Sequence, residues 1–461
     1  KLGANMLKND TIAAIATPLS ESAIGIIRVC GDMAIDIVDK IYKGKKKLRE
    51  LNSHTVNYGN IVVEEEFIDE VLVILMKGPS TYTGEDTVEI NCHGGILITQ
   101  RILEEVIKAG AVLAEPGEFT KRAFLNGKMD LSRAESVIDI IEAKNQYALK
   151  SSLMHLRGGL SELISGIRLR ILNEVAFIEA ALDDPEHYDL DEYRGELRQK
   201  VSGIKSELKS LLSTYERGRI IKEGIETVIV GKPNVGKSSI LNLLSRQEKA
   251  IVTDVAGTTR DSISEQIKLS GININLTDTA GIRESDDLVE SIGIKKSKEL
   301  IESAELVICV LDSSKELSDE DKEILRIIED KKAIILLNKS DKSVIIDKLE
   351  LKKYTTHPIL EFSAKSAKGL DELEEFIRSK FYNKEIGYND QIYITNIRHK
   401  QSIEETIESI DLVLQSIDMG MAEDFLSIDL VNAYEYLGEI IGESLDEDII
   451  NTIFAKFCMG K

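Results

Sequence analysis

Residues 231–238 spell Gly-Lys-Pro-Asn-Val-Gly-Lys-Ser, set between the apolar run Val228-Ile-Val230 and the stretch Ser239-Ile-Leu-Asn-Leu-Leu244. Gly231, Gly236, Lys237 and Ser238 are the fixed positions of a phosphate-binding loop. A polyphosphate carries dense negative charge, so the chain must turn several backbone N–H groups inward, and glycine permits so tight a curl. The helix that follows adds its positive end, Lys237 reaches the β- and γ-phosphates, and the Ser238 hydroxyl can ligate Mg²⁺. Average composition yields such a match by chance in roughly one or two per hundred chains of this length. The strand before it and the helix after it are the context the motif requires.

Three further motifs select the base. Asp278-Thr-Ala-Gly281 closes the strand Ile272-Asn-Ile-Asn-Leu-Thr277, Asn338-Lys-Ser-Asp341 closes Ala333-Ile-Ile-Leu-Leu337, and Ser363-Ala-Lys365 follows Pro358-Ile-Leu-Glu-Phe362. That order is the order of a GTPase. Asp341 can accept from the N1–H and 2-amino groups of guanine, which adenine does not offer, while the Lys339 stem packs on the ring and the Ala364 N–H meets O6. A site built around such polar groups rejects analogues lacking them by orders of magnitude. The nucleotide set on this reading comprises Asn234, Val235, Gly236, Lys237, Ser238 and Ser239, then Asp278, Thr279, Ala280 and Gly281. Asn338, Lys339, Asp341, Ser363, Ala364 and Lys365 complete it.

The elements that position these residues fall into three characters. From about Thr11 to Phe124, apolar or alternating runs such as Ile24-Gly-Ile-Ile-Arg-Val29, Val71-Leu-Val-Ile-Leu-Met76 and Thr87-Val-Glu-Ile90 predict strands. Helices are expected at 33–42 and 96–109, which makes an α+β domain. From Lys128 apolar residues recur at three and four (Ile138, Ile141, Leu149, Leu153, Leu156, Leu160, Ile164, Ile167), with Ser132-x-x-Glu135 read as a capping box and Pro185 as a helix stop. The segment 391–461 repeats the pattern at Phe425, Ile428, Val431, Tyr434, Leu437, Ile441 and Leu445, with a second box at Ser444-x-x-Glu447. Neither helical segment is long enough to be a domain alone, so the two are expected to pack together around an inserted GTPase domain. The expected bounds are 1–125 for the α+β domain, 126–222 and 383–461 for the helical parts, and 223–382 for the GTPase domain.

Composition bounds the partners. The chain has 461 residues, 43% hydrophobic and 30% charged, which is ordinary soluble composition and suits about three domains. No apolar run approaches the roughly 20 residues that span a bilayer, and no secretory signal is visible, so no membrane association is expected. Cys30, Cys92, Cys309 and Cys458 form no C-x-x-C pair and the six histidines show no ligand spacing, which reads as a reducing, cytoplasmic compartment without zinc. Met6 reads as the natural start. A formal charge of −22 opposes diffuse association with nucleic acid, so RNA contacts must be local; the run Lys43-Gly-Lys-Lys-Lys-Leu-Arg49 and the group Lys121, Arg122, Lys128 and Arg133 are the candidates.

Taken together, these residues resemble one family, the TrmE/MnmE tRNA-modification GTPases. Besides the GTPase motifs, the resemblance rests on Asp10-Thr-Ile-Ala-Ala-Ile-Ala-Thr-Pro18 and on Tyr82-Thr-Gly-Glu-Asp-Thr-Val-Glu-Ile90 with His93-Gly-Gly95. It extends to Pro116-Gly-Glu-Phe-Thr-Lys-Arg-Ala-Phe-Leu-Asn-Gly-Lys128 and to the terminal Phe457-Cys-Met-Gly-Lys461, where Met459 replaces the family's isoleucine. It implies a multidomain α/β plus α protein: a Ras-like P-loop GTPase inserted into a helical domain, preceded by an α+β domain like the tetrahydrofolate-binding fold. It implies a cytoplasmic homodimer working with an FAD-dependent (MnmG/GidA-like) partner, in a heterotetramer or larger assembly, on the wobble uridine of certain tRNAs. The product would be carboxymethylaminomethyl- or aminomethyl-uridine, modified at C5. A reduced folate (5,10-methylene- or 5-formyl-tetrahydrofolate) would donate one carbon, with Arg28, Glu89, Lys128 and Lys461 as its ligands by matching position.

For the GTPase, the resemblance adds Thr253, Asp254, Val255, Ala256, Gly257, Thr258 and Thr259 to the GTP contacts, Mg²⁺ on Ser238 and Thr259, and K⁺ among Asn234, Thr253, Val255 and Thr258. Ile282 stands where many small GTPases place a water-orienting glutamine, and an aliphatic chain cannot orient water. The family instead uses K⁺-dependent dimerisation of its GTPase domains. Glu290 would position the water indirectly, with Lys237 and Thr259 completing the catalytic set. Arg260 and Arg283 are alternative finger residues on chemistry alone.

Two other classes fit parts of the chain. One is a GTP-switch binding module for ribosome or RNA assembly, against which the folate-type N-terminal motifs argue. The other is a one-carbon transferase merely regulated by GTP, for which the sequence offers no obvious nucleophile.

Overall fold

The computed structural model describes residues 10–184, 190–247, 264–269, 271–278, 300–381 and 391–461. The chain divides into two compact units. One gathers residues 1–141, 152–209 and 401–461, the other residues 142–151 and 210–400.

The first unit holds strands β1 (Ile12–Ile15), β2 (Ile24–Cys30), β3 (Tyr42–Gly44), β4 (Thr55–Val63), β5 (Glu66–Met76), β6 (Thr87–His93) and β7 (Val112–Leu113). They form one sheet in the order β3-β4-β5-β6-β2-β1-β7, antiparallel except for the β1/β7 pair. Alternation sorts its two faces. Val88, Ile90 and Cys92 of β6 are buried against Val38 of helix Ala34–Ile41 and Ile102 and Val106 of helix Ile96–Lys108, while Glu89 and Asn91 point to the opposite face. There β2 and β6 run in a register that sets Arg28 opposite Glu89.

The same unit contains helices Gly159–Asp183 and Glu423–Ile441, which pack along each other. Arg168 is buried in that packing, ion-paired with Glu443 and stacked 4.0 Å from the Tyr434 ring centroid. Helix Glu423–Ile441 buries Leu426, Leu430, Ala433, Leu437 and Ile440, whereas Phe425 and Ile428 are exposed. The helix is apolar on more than one side, so the expected stripe holds at Leu437, Ile441 and Leu445 and fails at Phe425, Ile428 and Val431, which are exposed. Neither capping box forms. Asp130 Oδ1 caps helix Leu131–Glu142 by accepting from the Arg133 N–H at 3.0 Å and the Ser132 hydroxyl at 2.7 Å, which leaves Ser132 inside the helix. Helix Glu447–Phe454 begins after Asp446, two residues beyond Ser444.

The second unit is built on β8 (Ile225–Val230), β9 (Ser264–Leu269), β10 (Ile272–Asp278), β11 (Leu306–Asp312), β12 (Ala333–Asn338) and β13 (Ile359–Glu361). Their order is β13-β12-β11-β8-β10-β9, all parallel except the β9–β10 hairpin. Parallel strands covered on both faces read as continuous apolar runs, and every residue of β11 and β12 is buried. Helix Lys237–Gln247 follows β8 and shares one core cluster with helix Leu370–Phe381, while helix Asp319–Ile327 buries Leu325 in the other.

Residues outside the GTPase motifs belong to this core. Ala148, Ile220 and Ile221 pack with Ile225 and Ile274. Asn145 ties its helix to helix Tyr215–Glu223, accepting from the Ala148 N–H at 2.7 Å and donating to the Ile221 carbonyl at 2.9 Å. Among the described residues no helix is long and apolar enough to cross a membrane.

Candidate functional site

At the carboxyl ends of β8, β11 and β12 the chain forms a cavity of about 500 Å³ lined by Gly236, Leu243, Asn338, Lys339, Asp341 and Ala364 among others. This is where parallel sheets place ligands. β8 ends at Val230, residues 231–236 curl, and helix Lys237–Gln247 begins.

The curl has no room for a side chain at either of its glycines. A Cβ on Gly231, at φ +146°, would stand 2.3 Å from the Val310 carbonyl oxygen, and one on Gly236, at φ +104°, would stand 2.2 Å from Asn338 Nδ2. The first-turn N–H groups of the helix have no intrahelical partner, so they and the Lys237 ammonium present a cationic cradle. The Lys237 ammonium donates to the Gly231 and Lys232 carbonyls at 2.6 and 2.9 Å, at the inner edge of the loop. Lys232 points the other way, to Ser318 Oγ at 2.6 Å and Asp321 Oδ2 at 2.7 Å.

The base end is braced from the side. Asn338 Nδ2 donates to the Val235 carbonyl at 2.8 Å and Asn338 Oδ1 accepts the Ala364 N–H at 3.1 Å, so one amide joins the phosphate loop to the 363–365 loop. Ser363 Oγ donates to Asp341 Oδ1 at 2.7 Å. That bond, with the residue's own backbone N–H, holds the exposed Asp341 carboxyl below its ordinary value and keeps it an acceptor. Lys339 donates to the Asn234 carbonyl at 2.7 Å and to Asp312 Oδ2 at 2.6 Å.

The cavity wall carries Gly236, Ser239, Asn338, Lys339, Asp341, Ala364 and Lys365 of the expected set. Asn234 and Val235 are tied to it by the Lys339 and Asn338 bonds, Ser363 braces Asp341, and Lys237 and Ser238 open the helix after the loop. Asp278 ends β10. Thr253 through Thr259, Thr279, Ala280, Gly281, Ile282, Glu290 and the arginines 260 and 283 lie outside the described residues. No group of three or more metal-ligating side chains occurs among the described residues, and Ser238, at the first turn of the phosphate-loop helix, is the one described Mg²⁺ candidate.

Sequence reasoning missed Asn242 and Leu243, which line the cavity from one turn beyond Ser239; helical periodicity from the loop would have found them. It also missed Asp312.

The second set lies in the first unit, on the sheet face that Phe119 partly covers. Arg28 Nε donates to Glu89 Oε1 at 2.8 Å, Arg28 Nη1 donates to the Gly460 carbonyl at 3.0 Å, and the guanidinium sits 5.5 Å from the Phe119 ring centroid. Burial first, and Arg28 second, lower the Lys461 ammonium from its ordinary value, against the pull of Glu89. Arg28, Glu89 and Lys461 thus form one cluster on which a ligand with both acidic and polar groups could sit. Lys128 instead donates to the Pro79 carbonyl at 2.9 Å.

Two family models match the chain. One, described as the MnmE helical domain, covers residues 131–458, and the other, the GTP-binding protein TrmE N-terminus, covers residues 11–128. The chain is 55% identical over 458 residues to the tRNA modification GTPase MnmE of Lachnoclostridium phytofermentans, covering 99% of this chain and 100% of that one. It is 47% identical to the protein of the same name from Acetivibrio thermocellus, at 99% and 100% coverage, and 45% identical to that of Enterococcus faecalis, at 98% of each.

Proposed function

The chain belongs to the MnmE family of tRNA modification GTPases, and on that premise we propose that it hydrolyses GTP to drive modification of the wobble uridine of certain tRNAs at C5. The observation that carries the nucleotide half is the bridge made by Asn338, which fixes the phosphate loop and the 363–365 loop at one spacing. A ligand filling that spacing needs phosphates at one end and, at Asp341, a base with adjacent donors. Guanosine triphosphate meets both.

The chain's own residues would act as follows. Loop N–H groups and Lys237 would neutralise charge that builds on the γ-phosphate oxygens as the bond to the leaving phosphate breaks. Ser238 and Thr259 would hold Mg²⁺, which would supply positive charge against the phosphates. Asn234, Thr253, Val255 and Thr258 would hold K⁺, with paired GTPase domains and Glu290 compensating for Ile282. Arg28, Glu89, Lys461 and, by the family resemblance, Lys128 would hold a reduced folate, since a carboxylate pairs with a pterin edge and cations pair with a glutamate tail. In this reading the protein is a homodimer that works beside an FAD-dependent partner, and the domain bounds are 1–125, 126–222, 223–382 and 383–461.

Nucleoside analysis of tRNA tests this. A strain lacking the chain should lose the modified wobble uridine, regain it with the wild-type chain, and fail to regain it with Asp341→Asn, which inverts the hydrogen-bonding pattern offered to the base. Unchanged nucleosides in the deletion strain would refute the proposal.

A further inference from the structure

We propose that Asp312 is a positioning residue for the purine, acting through Lys339 rather than touching the nucleotide. The inference rests on the reading of the cavity as a GTP site and adds a determinant that lies outside the GTPase motifs.

Asp312 is the last residue of β11 and stands in register with Asn338, the last of β12. It is 7% exposed, and both its oxygens are committed. Oδ2 accepts from the Lys339 ammonium at 2.6 Å, and Oδ1 accepts from the Ser314 N–H at 3.1 Å and the Ser314 hydroxyl at 2.7 Å. Burial opposes the charge on this carboxylate, but the bonds from Lys339 and Ser314 outweigh it and hold the carboxyl below its ordinary value.

A lysine stem has four rotatable carbons and no preferred direction in water. Here its tip is fixed at two points, Asp312 Oδ2 and the Asn234 carbonyl, while its backbone is held at φ +65°. A lysine rarely adopts that left-handed conformation unless its surroundings determine it. The result is an apolar stem stretched along the cavity wall beside Gly236 and Ala364. Its surface is offered to a ring face before any ligand arrives, which removes an ordering cost from binding. The stem meets the ring's face, whereas Asp341 reads its edge. The two residues therefore predict different behaviour toward purines that share a face and differ at an edge.

The test uses the full chain, with GTP and ITP titrated by fluorescence against the wild type, Asp312→Asn and Ser314→Ala. Asp312→Asn should raise the Kd for both nucleotides about tenfold, leave their ratio unchanged, and leave kcat at saturating GTP within about twofold. Ser314→Ala, which loosens only the far oxygen of Asp312, should shift both Kd values in the same direction by a smaller factor. It keeps the inference testable if Asp312→Asn does not fold. In a Lys339→Met background, adding Asp312→Asn should change Kd by less than about twofold, because the route through Lys339 is already cut. A folded Asp312→Asn with wild-type Kd overturns the inference, as does a full loss that persists without Lys339, or a changed GTP-to-ITP ratio. Failure of the wild type itself to bind GTP would instead overturn the reading of the cavity.

Discussion

His93 shows what one neighbour does to a side chain in open solvent. Its ring is exposed, yet Nδ1 donates to Asp69 Oδ1 at 2.6 Å, and Asp69 Oδ2 accepts the His93 backbone N–H at 2.9 Å. The hydrogen bond to Asp69 raises the imidazole above its ordinary value. A group whose pKa is raised on folding binds its proton more tightly in the folded chain. Its contribution to stability is complete below the unfolded value of about 6.5 and is lost as pH rises through the folded one. The His93 ring protons should therefore titrate above ordinary histidine by NMR, and Asp69→Asn should bring the midpoint back to about 6.5. Equal midpoints in the two proteins would refute the coupling. At this scale the phosphate loop and the guanine motifs were readable, because each is contiguous and its residue types are dictated by the ligand. Asp312 was not, since it ends an apolar run like any other carboxylate and gains meaning only when β12 lays Lys339 beside it. Arg28 and Glu89, 61 residues apart, entered by resemblance alone, and it is the β2/β6 register that puts them opposite each other.

Among the elements, the segment that follows helix Glu447–Phe454 is held by close backbone approach. A Cβ on Gly460, at φ +84°, would stand 2.4 Å from the Ile15 carbonyl oxygen, and one on Gly117, at φ +67°, 2.6 Å from that of Phe454. Backbone cannot swing aside as a flexible side chain can. Gly460→Ala should lift this segment from β1, take the acceptor from Arg28, and weaken the proposed reduced-folate binding by about tenfold or more. Unfolding of the second unit should be unaffected. Calorimetric titration checks the first effect and a thermal scan the second. Gly166 offers the opposite case. It lies exposed inside helix Gly159–Asp183 with nothing within 4 Å of an added Cβ. Gly166→Ala should stabilise the first unit by about 0.5–1 kcal/mol, read as a higher denaturation midpoint. Helix existence was legible from period, and the starts expected at 33 and 96 fall within a residue of those observed, but the capping box at Ser132 was not, because Asp130 competes with Ser132 for the same N–H groups and wins by standing one residue outside the first turn.

For the whole molecule, the unit that carries the nucleotide site is not one stretch of sequence. Residues 142–151 are separated from 210–400 by 58 residues of the other unit, yet Asn145 caps a turn there and holds the Ile221 carbonyl. A chain of two units need not unfold in one step, and the transition that GTP shifts upward identifies the nucleotide-binding one. Asn145→Ala should lower that transition alone, by roughly 1–3 kcal/mol, since it leaves a buried carbonyl without its donor. A scan in which the GTP-insensitive transition moves instead would contradict the assignment. The sequence could suggest that something was inserted between two helical stretches. It could not say that a ten-residue piece of the first stretch packs with the insert, because Ala148 and Tyr147 fit the helical period equally well on either side.

The bond from Arg28 to Gly460 spans 432 residues. A ribosome adds about 5–20 residues per second, so Arg28 is made roughly 20–90 s before its carbonyl acceptor exists. Through that interval the seven-stranded sheet can close while its charged corner stays open to water. The whole of 210–400 is made meanwhile, and it can fold behind a first unit that is still waiting for residues 401–461. Translation thus finishes the two units in the reverse of the order in which it begins them. The Arg28 cluster is therefore completed only after the strands that carry the nucleotide site have been made.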